Sequence, residues 1–318
     1  MALPEPFLQR LSRIVPPERF EDCVRTFREP PAVGARVNTL LAEREMVLED
    51  LRTAGFEVHP AAWYPDAFWV PPQQREALLA STWVQNALVY VQNLSSMIPA
   101  LMLAPQPGEE VLDLCAAPGG KTLQLASMMQ NEGHLVAVEA VRTRFFKLRE
   151  NLRRHGAGFV QTVQAEGEWV WKRWQARFDA VLLDAPCSSE ARFREDEPNT
   201  CRYWSLKKIG DMVRKQKSLI YSAIRCLKFG GRLVYCTCTF APEENEGIIA
   251  HALKKFGDAI EVLPLPLQVE GMVSALSEWD GHVFPDAVRH ARRILPSSRM
   301  EGFFVCLIRK REDADDTA

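Results

Sequence analysis

Five short apolar runs separated by helical patterns are the feature that most constrains the fold of this chain. The runs cover residues 110–116, 134–140, 159–165, 178–186 and 231–239. Nearly continuous apolar runs of this length are typical of parallel strands that are covered on both faces. Because helical patterns and short links separate the runs, we expect a doubly wound α/β sheet.

The helical patterns between these runs cover residues 120–130, 142–155 and 205–228. We expect the third helix to stop at Gly230-Gly231, because glycine commonly ends helices. A final strand is expected over residues 302–310, after a loop-rich region. The acidic tail 312–318 is expected to be disordered.

The first 90 residues differ from the rest of the chain in amino-acid composition and in pattern. They are rich in proline and tryptophan and show a weak strand–helix–strand pattern. We therefore predict a small α+β domain over residues 1–90 and a second, larger domain over residues 91–311.

Composition and charge limit the class of protein. Of 318 residues, 47% are hydrophobic and 25% charged, which is typical of a soluble globular protein. No apolar run approaches the roughly 18 residues of a membrane helix, and the proline-broken N-terminus does not resemble a signal peptide. The eight cysteines lie mostly in apolar segments and indicate reduced thiols. We expect a cytoplasmic monomer that does not bind membranes.

The net charge of −2 excludes a uniformly basic protein but not a local basic surface. Residues 142–155 carry six Lys or Arg side chains and one Glu. This segment could contact nucleic acid, or it could be a solvated amphipathic helix.

The turn after the first strand, VLDLCAAPGGKT over residues 111–122, predicts a ligand site. In doubly wound sheets, ligands bind outside the carboxyl ends of the strands, where small residues let the backbone approach. A phosphate loop would need glycine at position 115, which is Cys115, and GxGxxG is absent. With both nucleotide-phosphate motifs excluded, the turn suits a ligand that has no diphosphate, such as S-adenosylmethionine.

Two acidic residues support a nucleoside ligand. Glu139 ends the second strand and could accept hydrogen bonds from ribose hydroxyls. Glu166 follows the third strand and could lie at the edge of an adenine. Simple solvation is the alternative for each acid taken alone.

Three cysteines fall at the ends of the fourth and fifth strands. Asp184 ends the fourth strand, with Cys187 just beyond it, and the fifth strand carries Cys236 and Cys238. In the usual strand order these two strands are neighbours, so the cysteines should open onto one cleft. Cys236 and Cys238 should share a face, with Cys238 better placed for chemistry and Cys236 packed. Their spacing is not a common zinc pair and no second pair completes a site, so no metal is expected.

A thiol beside an aspartate and a methyl donor suits methylation of a pyrimidine ring carbon. Addition of a thiolate to C6 of cytosine makes C5 nucleophilic. Asp184 could hydrogen-bond N3 if its carboxyl holds a proton.

These motifs together resemble a known family. VLDLCAAPGGKT, DAPCS and YCTCTFAPEENE, in this order, are similar to the signatures of the Fmu/Sun family of RNA 5-methylcytosine methyltransferases. The resemblance covers about residues 90–310. It implies a Rossmann-like S-adenosylmethionine-dependent methyltransferase core, with a mostly parallel seven-stranded sheet and an antiparallel last strand. ARVNTL resembles the family's N-terminal extension, which implies that the first domain is RNA-binding-like.

The resemblance also implies roles for individual residues. Cys238 would be the nucleophile, Cys187 would promote product release, Asp184 would contact the base, and Lys121 would lie close to the reaction. The remaining candidates would hold the cofactor, in part together with Lys121 and Asp184; they are Cys115, Ala116, Ala117, Pro118, Gly119, Gly120, Glu139, Arg144 and Glu166.

Three positions depart from the family pattern. Thr239 stands where the family usually has serine, and Glu166 stands where it has aspartate. The loop DAPCSSEAR carries Ser189 and Ala191 where glycines are common, which would stiffen a loop that admits a flipped base.

The favoured hypothesis is an RNA cytosine-C5 methyltransferase that acts through a Cys238 adduct, with ribosomal RNA preferred over transfer RNA. An exocyclic-amine methyltransferase, in which both thiols are incidental, is one alternative. A catalytically silent RNA-binding member of the family is the other.

Overall fold

The protein is described here from a computed structural model, which covers residues 3–311. The predicted disordered tail, residues 312–318, lies outside the described residues. The helices are α1 (Glu5–Ile14), α2 (Pro17–Thr26), α3 (Arg44–Thr53), α4 (Arg75–Ala80), α5 (Thr82–Gln85), α6 (Ile98–Leu103), α7 (Gly120–Met128), α8 (Arg142–Arg154), α9 (Leu206–Cys226) and α10 (Glu246–Phe256). The strands are β1 (Val33–Val37), β2 (His59–Pro60), β3 (Ala67–Val70), β4 (Val89–Val91), β5 (Glu110–Asp113), β6 (His134–Glu139), β7 (Gln161–Gln164), β8 (Phe178–Asp184), β9 (Leu227–Thr237), β10 (Ile260–Leu263), β11 (Met272–Ser274), β12 (Glu278–Trp279), β13 (His282–Val283), β14 (Arg292–Ile294) and β15 (Phe303–Lys310).

The large sheet has the predicted parallel core. Its strands lie in the order β11-β14-β15-β9-β8-β5-β6-β7, and β10 pairs with β15. The five apolar runs form the parallel strands β5 to β9, and β15 is antiparallel to β9 as expected. Among residues 3–311 the sheet has nine strands rather than the expected seven. Three of them, β10, β11 and β14, were not located from the sequence; they are only three or four residues long and lie in or beside the region expected to be loop-rich.

Both faces of this sheet are covered, which explains the continuous apolar runs. Val111 packs on one side with residues of α6, α7 and α8. Its neighbour Leu112 packs on the other side with residues of α9 and α10. Alternate residues of a strand point to opposite faces, so each side needs its own apolar set.

The prediction that the long helix stops at Gly230-Gly231 is wrong. Helix α9 ends at Cys226, and β9 begins at the next residue. Phe178 of β8 pairs with Leu227, whereas Ala180 pairs with Arg232, so a bulge interrupts the ladder. Gly230 adopts φ +74° in this bulge, a conformation that glycine tolerates best.

The N-terminal region contributes to two parts of the molecule. Strands β1 to β4 form a separate antiparallel sheet that ends at Val91, close to the predicted boundary. Helices α1 and α2 instead pack on the large domain. The Phe7 ring lies 4.9 Å from the Phe193 ring and 6.3 Å from the Phe240 ring, measured between centroids.

Replacing Phe7 with alanine tests this attachment. Phe7 is buried within a cluster of aromatic rings, so we expect the free energy of unfolding to fall by about 3–5 kcal/mol. Denaturant titration would measure the loss. Phe146→Ala, at a half-exposed ring on α8, should change stability by less than about 0.5 kcal/mol. An equally small effect at Phe7 would contradict this packing.

Candidate active site

A cleft of about 560 Å³ opens at the carboxyl ends of the parallel strands. Its walls come from the turn after β5, the ends of β6 and β8, the residue after β9, and β4 of the small sheet. This is the position at which the sequence predicts a ligand, because strands β8 and β9 are neighbours and β5 lies beside β8.

The glycine turn forms one wall of the cleft. Of the predicted segment, Cys115, Ala116, Ala117, Pro118, Gly120 and Lys121 line it, while Gly119 does not. Gly119 instead adopts φ +109° and lets the chain turn into α7. A Cβ atom at Gly120 would lie 2.9 Å from the Tyr90 ring, so a side chain would collide with the wall opposite.

Glu139 and Arg144 both line the cleft beside this turn. The Glu139 side chain is buried, accepts a hydrogen bond of 2.8 Å from the Val141 amide, and lies 3.5 Å from the Arg144 guanidinium. Arg144 also donates to the Ala117 carbonyl at 2.7 Å. Arg144 thus links the acid at the end of β6 to the backbone of the turn.

The two acids after β7 differ in their placement. Glu166 is exposed and is not among the residues that line the cleft, whereas Glu168 lines it. Glu168 Oε1 lies 3.5 Å from Lys215, and its buried Oε2 has no hydrogen-bond partner among residues 3–311. Glu168 is therefore the acid that faces the cleft from this side, while a cofactor contact of Glu166 stays a prediction.

Lys121 and Asp184 form an ion pair on the floor of the cleft, in which the lysine side chain is 8% exposed and the aspartate side chain 32% exposed. The ammonium donates to Asp184 at 2.8 Å and to the Ser96 hydroxyl at 2.7 Å. Burial opposes the charged form of Lys121, but the Asp184 carboxylate outweighs burial and raises its pKa. Both predicted residues therefore meet in the site, and the Asp184 carboxylate is paired rather than isolated.

Cys187 and Cys238 meet as the strand order predicts. Their sulfur atoms lie 3.5 Å apart, and both residues line the cleft. Cys236 is fully buried with its thiol 3.6 Å from Asp184 Oδ1. It does not line the cleft, in agreement with a packing role.

The two thiols differ in acidity. The hydrogen bond from Cys187 lowers the pKa of Cys238 to about 7 against the effect of burial, and the Arg192 charge contributes in the same direction. The same hydrogen bond, together with burial, raises the pKa of Cys187. Cys238 is thus the more acidic of the two thiols, and Cys187 is the less acidic one.

The cleft is also lined by polar and charged residues that were not predicted from the sequence, among them Ser96, Glu168, Arg192 and Glu301. Arg192 lies in the altered loop after Cys187, and its guanidinium is 3.7 Å from Glu301, which immediately precedes the segment of the last strand. Arg192 could have been predicted, because it is a basic residue in the loop that departs from the family pattern. Glu301 lies in the cleft because the strand that follows it, β15, pairs with β9, and no local sequence pattern indicates this.

Ser189 is the second unusual feature of that loop. It adopts φ +58°, a left-handed conformation that favours glycine and costs other residues about 1 kcal/mol. Its hydroxyl lies 3.8 Å from the Cys238 sulfur. The position where the family commonly has glycine therefore keeps the backbone shape and adds a polar group beside the thiols.

The described part of the chain contains neither a metal-binding cluster nor a membrane-spanning helix. Among residues 3–311, no cluster of three or more His, Cys, Asp or Glu side chains has the arrangement of a metal site. None of the helices within that range is both long and apolar enough to cross a membrane.

The difference in acidity predicts selective alkylation. At about pH 7 we expect iodoacetamide to modify Cys238 before the other cysteines, since most of these have raised pKa values. Peptide mass spectrometry would measure the rate at each cysteine. Cys187→Ala should slow alkylation of Cys238 at this pH, because the thiol that lowers the pKa of Cys238 is lost. Equal rates at Cys238 and the buried Cys306 would contradict the assignment.

Comparison with known proteins agrees with this geometry. Residues 100–309 match the family model of the 16S rRNA methyltransferase RsmB/F, and residues 3–72 match the RsmF/B-like ferredoxin-like domain. Ribosomal RNA small subunit methyltransferase F of Vibrio vulnificus is 38% identical over 315 residues, which cover 97% of this chain and 64% of the relative. The protein of the same name from Vibrio cholerae is 37% identical over 317 residues, with 98% and 64% covered. This chain thus spans about 64% of the length of these curated relatives.

Solved structures show the same fold over nearly the whole chain. A methyltransferase homolog from Pyrococcus horikoshii superposes with a TM-score of 0.81 at 30% identity, covering 97% of this chain and all of the other. The structure of NSun6 from the same organism with SFG gives a TM-score of 0.82 at 21% identity. The match covers 98% of this chain and 99% of the other. The second likeness supports the fold alone.

These matches confirm the resemblance that the three motifs carry. The motif residues converge on one cleft, and the family model covers well over half of the described chain. The chain belongs to the 16S rRNA methyltransferase RsmB/F family.

Proposed function

We propose that this protein is an S-adenosylmethionine-dependent RNA cytosine-C5 methyltransferase that forms a covalent bond between Cys238 and C6 of its target. The observation that carries the proposal is the pair of thiols 3.5 Å apart in a cleft that also holds Asp184. Membership of the family supports an RNA substrate, and the names of the curated relatives favour ribosomal RNA over transfer RNA.

The residues of the cleft fit the proposed cofactor. The turn from Cys115 to Lys121 brings the backbone close to the ligand space, and Glu139 offers a carboxylate beside it. The unpartnered Oε2 of Glu168 is a buried acceptor that a ligand donor would satisfy. S-adenosylmethionine bound here would supply the methyl group.

The first proposed step is the addition of the Cys238 thiolate to C6 of cytosine. The new carbon–sulfur bond moves electrons of the C5–C6 double bond into the ring, and N3 takes a proton. The Lys121–Asp184 pair lies on the floor of the same cleft and can supply that proton, while Asp184 can accept a hydrogen bond from the base amino group. C5 then has the electron density to take up a methyl group.

The second proposed step restores the aromatic ring. The proton on C5 leaves to a base or to water, and the electron pair of that bond rebuilds the C5–C6 double bond as the carbon–sulfur bond breaks. N3 returns the proton that it took up in the first step. The Cys187 thiol donates to the Cys238 sulfur, so it can stabilise the departing thiolate. The same contact that makes Cys238 a nucleophile therefore makes it a leaving group.

The RNA would approach across basic surface near the cleft. Helix α8 begins next to the site, and its side chains Arg142, Lys147 and Arg149 are exposed. Arg154 at the other end donates to the carbonyls of Val84 and Gln85 and so ties α8 to the N-terminal region. We propose that this surface contacts phosphates, in a cytoplasmic protein that acts as a monomer.

Bisulfite sequencing of total RNA tests the substrate. RNA from cells with and without the gene should differ at one or a few cytosines of the small-subunit ribosomal RNA. A difference confined to transfer RNA would overturn the ribosomal assignment and keep the chemistry.

Replacing Cys238 with alanine should reduce methyl transfer by at least about 10⁴-fold, because the nucleophile is lost. Transfer of labelled methyl groups to RNA would measure it. Cys306→Ala is the matched control, since this buried thiol packs on the opposite face of the sheet. Activity that survives Cys238→Ala would favour an exocyclic-amine methyltransferase.

Replacing Cys187 with alanine should trap the protein on RNA. Without the Cys187 thiol, the Cys238 thiolate is a poorer leaving group, so the adduct should accumulate as a slowly migrating band on a denaturing gel. The double variant with Cys238→Ala should not form the band. If the wild type methylates RNA and the Cys187 variant traps nothing, the role of Cys187 in release is wrong.

A further inference from the structure

A buried polar network lies directly behind the two thiols. Ser188 follows Cys187 and Thr239 follows Cys238, and the side chains of both point away from the cleft toward two glutamates. Glu244 is 0% exposed and Glu190 is 1% exposed. Within residues 3–311, no basic side chain lies at salt-bridge distance from either glutamate, which is unusual for buried carboxyl groups.

Four side-chain oxygens in this network form an unbroken chain. Glu244 Oε1 contacts the Ser188 hydroxyl in a short hydrogen bond. Ser188 Oγ lies 2.7 Å from Thr239 Oγ1, and Thr239 Oγ1 lies 2.9 Å from Glu190 Oε2. The chain therefore contains three oxygen–oxygen contacts, each of hydrogen-bond length.

These three contacts need three hydrogen atoms. Each hydroxyl brings one, and an ionised carboxylate brings none. With both glutamates ionised, one pair of oxygens would face each other without a hydrogen between them, although both glutamates are closed to water. We infer that one carboxyl in this chain is held in its protonated form and that it is Glu244.

The donors around each carboxyl decide between the two. Both oxygens of Glu190 already face N–H groups, Trp204 Nε1 at 2.8 Å and the Phe240 amide at 3.0 Å. At Glu244, the Ser188 amide at 3.0 Å and Gln216 Nε2 at 2.8 Å both approach Oε2. The Ser188 amide also lies 3.3 Å from Oε1, a longer contact than that of the Ser188 hydroxyl, so the hydroxyl is the principal partner of Oε1 and Oε1 can carry the proton and donate.

The acidity of the two groups agrees with this assignment. Burial raises the pKa of Glu244 to about 7, even though it accepts hydrogen bonds from Ser188 and Gln216. Burial also raises the pKa of Glu190, but three donors and the charge of Arg10 oppose the rise.

The protonated Glu244 is a positioning residue for the thiol pair. The chain of hydrogen bonds joins Ser188, the residue after Cys187, to Thr239, the residue after Cys238. Gln216 strengthens the link by donating also to the Pro186 carbonyl. The catalytic consequence rests on the proposed function, but the protonation state does not.

The test replaces each buried glutamate by glutamine and measures the melting temperature at about pH 6. Glutamine imitates a protonated carboxyl, since its amide nitrogen donates and its oxygen accepts. Glu244→Gln should melt within about 2 °C of the wild type. Glu190→Gln should melt about 4–10 °C lower, because the NH₂ group of the new glutamine would face an N–H donor, either that of Trp204 or that of Phe240.

A matched control is Glu246→Gln. Glu246 is also 0% exposed, but both of its oxygens accept hydrogen bonds from Arg293, so its replacement should lower the melting temperature at least as much as Glu190→Gln. A loss for Glu244→Gln as large as that of Glu246→Gln would overturn the inference. An unchanged melting temperature for Glu190→Gln would overturn it as well, because the proton would then belong to Glu190.

An infrared spectrum provides a second measurement that does not depend on melting. The carbonyl stretch of a protonated carboxyl group should appear in the difference between wild type and Glu244→Gln. It should be absent from the difference between wild type and Glu246→Gln. Absence from both would contradict the inference.

An activity measurement separates this proposal from the proposed function. Glu244→Gln should keep methyl transfer within about threefold of the wild type. Glu244→Ala should lower kcat and leave KM largely unchanged, because the two thiols move apart. A wild type without methyl transfer would end the proposed function and leave the melting and infrared results to decide the protonation state.

Discussion

The close approach of two sulfur atoms at the ends of neighbouring parallel strands is the contact on which the proposed chemistry depends. Strands β8 and β9 pair in parallel, with Asp184 opposite Cys236. The chain leaves both strands on the same side of the sheet, so the next residues face each other across a few ångströms. The resulting distance of 3.5 Å lets one thiol donate to the other and lowers the pKa of Cys238. A thiol buried to this degree would otherwise stay protonated and unreactive.

The surrounding structure holds this contact in place from three directions. On the cleft side, the Arg192 guanidinium places positive charge near the Cys238 sulfur, whereas the Asp184 carboxylate acts in the opposite direction and is itself paired with Lys121. Behind the thiols, the chain from Glu244 to Glu190 joins the two loops. Helix α1 packs Phe7 against Phe193 and Phe240, so the N-terminal segment supports the same turns from outside. Rigid support of this kind is what precise orientation of reacting groups requires.

Much of the fold and the thiol site could be predicted because the signals were local. Each parallel strand is an apolar run, and Asp184 and Cys187 follow directly from the end of one of them. The usual strand order then brings Cys238 beside Cys187 without further information. The long helix was harder, because Gly230-Gly231 can end a helix or form a bulge, and only the pairing of Leu227 with Phe178 decides.

Other parts of the site depend on contacts that no local pattern shows. Glu301 and Ser96 are far from the motifs in sequence and enter the cleft only because β15 and α6 pack beside β9. Beyond the end of β7 the chain leaves the regular strand, so the alternation of side chains no longer tells whether Glu166 or Glu168 turns inward. The protonation of Glu244 follows from counting hydrogens between atoms, which requires their positions.

Reaction with an RNA that carries 5-fluorocytosine at the target position tests the central claim most directly. Fluorine at C5 cannot leave as a proton does, so the ring cannot expel the sulfur after methyl transfer and the bond persists. Digestion of the product and tandem mass spectrometry would locate the modified residue. The account requires a methylated fluoropyrimidine attached to the sulfur of Cys238. A nucleotide attached to Cys187 instead, or no attachment by an enzyme that methylates ordinary RNA, would contradict it.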